Sequence, residues 1–71
     1  MNILTVAAQV KQTVASLKGA RATLEAFYSY EPKVEIKESI QRNCSIINSV
    51  INDLEKRVKT LEFEEPQYKG F

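Results

Sequence analysis

Few side chains in this sequence could do more than pack. They are one thiol (Cys44), a cluster of carboxylates (Glu62, Glu64, Glu65) and two groups of aromatic rings (Phe27, Tyr28 and Tyr30; Phe63, Tyr68 and Phe71). General acid–base or nucleophilic chemistry draws on histidine, or on a Cys, Ser or Lys with an activating neighbour in a cleft. There is no histidine. Cys44 recurs at a seven-residue interval with Ile51 and Val58, which places the thiol in an apolar row, where it behaves as a small hydrophobe. A hard-cation site needs more oxygen ligands on a suitable loop than three glutamates provide, and no calcium-loop spacing occurs, so these acids read as a solvated charge run. The two glycines, Gly19 and Gly70, cannot make a phosphate-binding loop. No catalytic residue, cofactor or metal site is expected, and the chain is not expected to be an enzyme.

The aromatics suggest recognition instead. Aromatic anchors in a polar frame are what a docking peptide or an interface core uses. The ending EEPQYKGF offers Glu64, Glu65, Tyr68 and Phe71 in that role, and Phe27, Tyr28 and Tyr30 offer a second cluster.

Ten basic and nine acidic residues give a net charge of +1, with the signs alternating locally. That pattern lacks the basic footprint of a nucleic-acid binder. The opening MNILTVAAQVKQ has no basic stretch ahead of an apolar run, so no export signal is read. No stretch approaches the ~18 apolar residues of a membrane span. A lone cysteine excludes an internal disulfide, and a cytoplasmic protein is expected.

The elements that position these side chains read as two helices. From about residue 5 to 28, Ile3, Val10, Leu17 and Leu24 form one heptad row, with Val6, Thr13, Ala20 and Phe27 as its companion three residues on. Thr5 is the expected N-cap, with Asn2 competing. Pro32 biases the residue before it away from the α region, so residues 29–31 read as a turn and a second helix as about 32–63. Its rows are Cys44, Ile51 and Val58, and Ile40, Ile47, Leu54 and Leu61, broadened by Ile36 and Val50. Glu38 before Arg42, Asp53 before Arg57 and Glu55 before Lys59 mark its solvent side. Pro66 stops the helix, leaving residues 64–71 as an extended tail.

A short connection between long helices makes them antiparallel neighbours, with helix two overhanging by about two turns. The expected fold class is all-α, an antiparallel two-helix hairpin. One seam is little to hold ~70 residues together, so two hairpins are expected to form a homodimeric four-helix bundle. Ala8, Ala15, Gly19, Ala22 and Ala26 give helix one a small-residue strip opposite its seam, of which Ala15, Gly19 and Ala22 are the candidate contact residues. Alanine is also simply the best exposed helix former, but a mid-helix glycine costs about 1 kcal/mol against it.

Taken together, QVKQTVASLKGARATLEAF (9–27) and EEPQYKG (64–70) resemble a small bacterial family, the domain of unknown function 1657. The turn, FYSYEPKVEIKE, departs from that family's glutamine-rich middle. The resemblance implies a module of endospore-forming bacteria, associated with the forespore or spore interior and with a spore membrane protein as partner. It implies no catalytic residue. The expected function is thus a non-enzymatic protein–protein assembly module. The alternatives are a small-molecule-binding helical bundle, or a membrane-surface binder that uses Lys11, Lys18 and Arg21 beside the apolar stripe.

Overall fold

Pro32 organises the chain by separating two helices of nearly equal length. The computed structural model describes residues 3–64, with α1 spanning Ile3–Tyr30 and α2 spanning Val34–Glu64. The two pack antiparallel as a hairpin, so the protein is all-α. Asn2, expected as a competing cap, and Glu65, Tyr68 and Phe71, expected in the tail, lie outside the described residues.

Several boundaries differ from the sequence-based expectation, each for a local reason. Thr5 is inside α1, which already starts at Ile3, so it is not the N-cap. At the other end helical bonding persists to Glu31, whose N–H donates to the Phe27 carbonyl at 2.9 Å. Proline restricts only the residue before it, so Ser29 and Tyr30 stay helical. Lys33, not Pro32, opens α2. Its carbonyl accepts the first helical bond from Lys37 at 3.0 Å, and its own N–H donates to the Glu31 carboxylate at 3.2 Å. The connection is Glu31-Pro32-Lys33, made with no residue at positive φ. Glu35 in the first turn of α2 complements the helix dipole. With 28 and 31 residues, the helices differ by less than one turn, and the expected two-turn overhang is absent.

The seam also differs from the expected one on α1. The row Val10, Leu17 and Leu24 is half-buried, as the periodicity requires, but its companion is Ala7, Val14, Arg21 and Tyr28, four residues on. Of the expected row Val6 is half-buried, while Thr13, Ala20 and Phe27 are exposed. The two flanking rows are similar in apolar content, so apolar burial alone does not choose between them. What separates them is charge, because the 7–14–21–28 side carries Lys11 and Lys18 toward Glu62 and Glu55 of α2. Thr13 loses nothing by facing out, since its hydroxyl donates to the Gln9 carbonyl at 3.0 Å. On α2 both expected rows face the seam, Ile51, Val58 and Leu61 being buried and Ile40, Cys44, Ile47 and Leu54 half-buried. Ile36 and Val50 do not broaden it and remain exposed.

The resulting core is thin. Its buried apolar residues are Ala7, Val14, Ile51, Val58 and Leu61, and none of the described side chains is fully enclosed. They lie from mid-hairpin to the open end, while the turn half has only half-buried contacts. The rod measures 56 × 16 × 15 Å with a radius of gyration of 16.3 Å, against about 11 Å for a compact chain of this length.

Removing atoms from this core should be costly where burial is deepest. Ile51→Ala is expected to lower unfolding free energy in urea by about 2–4 kcal/mol, and Cys44→Ala, which deletes one half-buried sulfur, by distinctly less. Equal losses would show that the two positions contribute alike.

Candidate functional site

No described residue group has the make-up of a reactive centre, so the site to be analysed is the hairpin's surface, which has two unlike edges. One is polar. Lys11 pairs with Glu62, and Lys18 with Glu55 at 3.0 Å. A step of seven along α1 is matched by a step of seven back along α2, as an antiparallel pair requires. The next rung falls at Glu25 and Asn48, and Arg21 bridges it. Its Nη1 donates to Asn48 Oδ1 at 2.8 Å, and its Nε lies 3.6 Å from Glu25 Oε1. Arg21 sits in a core row with its stem half-buried and its guanidinium at the rim, the usual way a long basic side chain covers apolar surface. Glu55 therefore pairs across the seam rather than with Lys59 on the outer face, where the i,i+4 spacing had placed it.

Exposed pairs of this kind contribute only about 0–1 kcal/mol each. Their value lies in selecting a register. They also neutralise Lys11, Lys18 and Arg21, the basic residues that the surface-binder alternative needs.

Two open grooves flank this edge. One of about 370 Å³ runs beside Val14, Lys18, Glu55 and Val58, and one of about 360 Å³ lies nearer the turn, beside Glu25, Tyr28, Ile40 and Cys44. Both are surface channels open to solvent, and nothing in them converges on an enclosed ligand.

The opposite edge and the faces beside it hold most of the exposed apolar bulk. Phe27 is 61% exposed, Ile46 61%, Ile36 42% and Val50 40%, and Tyr30 is also exposed. Of the residues singled out from sequence, Ala15, Gly19 and Ala22 are all exposed, as are Phe27 and Tyr30. Tyr28 is different. It is half-buried against α2, with the Lys37 ammonium 4.6 Å above its ring, a cation–π contact that ties the turn together. The aromatic cluster at the turn is thus split, with Tyr28 taken up by the hairpin and Phe27 and Tyr30 left outside. Glu64 closes α2.

Sequence reasoning took Arg21 only as a surface cation and missed its place in the seam, as it missed Ile46 and the cross-seam pairing of Glu55. Arg21 was hidden because a charged residue breaks the look of an apolar row. The pairing could have been found from the matching seven-residue steps Lys11–Lys18 and Glu55–Glu62.

With the geometry in place, the chain can be compared with known proteins. A family model described as "Protein of unknown function (DUF1657)" matches residues 10–58, more than half of the chain. The chain belongs to this family. The match spans the hairpin from Val10 on α1 to Val58 on α2, so the DUF1657 unit is the helix pair itself, and the 64–70 block lies beyond it. Neither a search of curated proteins nor a search of solved structures gives a match.

Gly19 gives this surface a simple test. A Cβ built there meets nothing within 4 Å, and its φ is not in the left-handed region. Gly19→Ala is therefore expected to raise the stability of the hairpin by about 0.5–1 kcal/mol in urea denaturation, through helix propensity and unfolded-state entropy. A loss of stability would mean that something packs against the bare glycine backbone.

Proposed function

We propose that the protein is a non-enzymatic assembly module that acts as a homodimer, two hairpins forming a four-helix bundle. The observation that carries this reading is the mismatch between the surface the hairpin exposes and the core it encloses. Among the described residues the buried apolar side chains are Ala7, Val14, Ile51, Val58 and Leu61, whereas the large apolar side chains of Phe27, Tyr30, Val34, Ile36, Ile46, Val50 and Phe63 are exposed. A second hairpin would cover apolar side chains that one seam leaves in water.

The role in the cell is the part of the proposal that the family resemblance supplies. We assign the module to the spore or forespore, where it would hold or regulate a membrane-protein assembly from the aqueous side. No described helix is long and apolar enough to cross a membrane, so contact with such a partner would run through the protein surface. The small-molecule alternative is less well supported because the grooves are open, and the membrane-surface alternative because its cations are paired within the chain.

Sedimentation equilibrium tests the central claim. The expected result is a dimer at micromolar concentration, with a melting temperature that rises with protein concentration. A cooperatively melting monomer whose Tm does not depend on concentration would overturn the reading.

A further inference from the structure

We infer that the two copies pack turn beside turn, through the apolar edge opposite the ion-pair ladder, with α1 of each copy lying against α2 of the other. This rests on the dimeric reading above and adds to it a surface and an orientation.

The edge is fixed by the ladder. Since Lys11, Lys18, Glu55 and Glu62 occupy one flank of the seam, the strips on its other flank must share the opposite edge. These are 6–13–20–27 on α1 and 36–43–50–57 on α2. Among the described residues, five of the seven large apolar ones that are exposed lie on this edge or the faces that adjoin it, namely Phe27, Tyr30, Ile36, Ile46 and Val50. The remaining two are elsewhere, Val34 on the ladder side and Phe63 on the back of α2.

The occupant follows from charge and area. Among the side chains of this edge and its adjoining faces that the structure describes, the charged ones are Asp53 and Arg57, of opposite sign and four residues apart on one helix. From mid-hairpin to the turn these strips carry no charged side chain, so a second copy meets no repulsion there, and depletion of charge is what marks the core of an interface. A side of the rod measuring 56 × 16 Å offers roughly 900 Å², enough for the ~800 Å² per partner of a stable complex. The ladder edge could not serve in this way without separating pairs already made within the chain.

Two features select the orientation. The exposed apolar bulk runs from mid-hairpin to the turn, and toward the open end the same edge carries Thr13, Asp53, Arg57 and Thr60, with Val6 already half-buried within the hairpin. Turns at opposite ends would set the apolar half of one copy on the polar half of the other, whereas turns side by side match like with like. The second feature is size. The strips of α1 near mid-length are small (Ser16, Ala20, Thr23) and those of α2 are large (Ile46, Val50). Knobs need holes, and turns side by side set each copy's α1 against the partner's α2 at the same height. Turns at opposite ends would instead pair α1 with α1 and α2 with α2.

Spin labels decide the orientation. In a Cys44→Ala background a nitroxide on Lys33→Cys, at the exposed turn, is expected to give an inter-label distance below about 25 Å by pulsed dipolar spectroscopy. Turns at opposite ends would give a helix length, roughly 40 Å for 28 residues at 1.5 Å each. A long distance in a sample that sediments as a dimer overturns this inference and leaves the dimer intact, while a monomer overturns both. The face is tested separately. Ile46→Lys should weaken dimerisation at least tenfold with helicity unchanged, and Ala15→Lys, on the far side of α1, should leave it within twofold. The reverse ranking would place the interface on the small-residue strip.

Discussion

Everything in this protein depends on a single seam between two helices. Among the described residues there is no second layer, no disulfide and no glycine-built loop to share the load, and the hairpin is held by one line of side chains about forty ångströms long. A seam of that kind has two sides and no interior. Even its best-covered residue, Ile51, keeps about 2% of its surface. Two helices meet as cylinders, and a groove remains on each flank of the contact line. What fills those flanks decides the character of the molecule.

The flanks are filled in opposite ways. On one, long side chains reach across and meet, so that Lys11, Lys18 and Arg21 shield the seam with their stems while their charges find Glu62, Glu55, Glu25 and Asn48. On the other, the neighbouring side chains are threonine, alanine and branched or aromatic apolar groups with nothing to cover them. The residues that select the register and the exposed apolar groups thus lie on different flanks of the seam. A charge ladder contributes little energy per rung, but a slip by one residue would set its lysines and glutamates out of reach and turn buried side chains outward.

Much of this was legible in the residues. Heptad spacing gave both helices, Pro32 gave the turn, and both rows of α2 were found because Ile, Leu and Val occupy them almost without interruption. The α1 seam was harder. Its central row was read correctly, but that row is flanked by two candidates with similar apolar content, and periodicity in one helix does not say to which side the partner lies. Only the pairing of Lys11 with Glu62 and of Lys18 with Glu55 breaks the tie, and it needs both helices at once. The helix ends differ from the expected ones by one or two residues, and at the start of α2 the reason is local. The Glu31 side chain caps Lys33, a local bond that proline statistics do not contain. No site for chemistry was expected from the sequence, and the candidate surface came out only partly as read. Phe27 and Tyr30 are exposed, Tyr28 is held within the hairpin by Lys37, and Ile46 went unnoticed because its seven-residue row is otherwise polar, with Ser39, Asp53 and Thr60.

The uneven core follows from the same topology. At the turn the helices are joined covalently through three residues, so little burial is needed to keep them together there. At the open end nothing joins them, and there the buried residues Ala7, Val14, Val58 and Leu61 concentrate, with the Lys11–Glu62 pair beside them. Loop closure is entropically cheap near the connection and dear far from it. A hairpin can therefore leave the apolar groups near its turn uncovered and still hold its shape, so long as its far end is sealed. That freedom is what allows Phe27, Tyr30, Ile36 and Ile46 to face outward in the turn half without loss of the hairpin's shape.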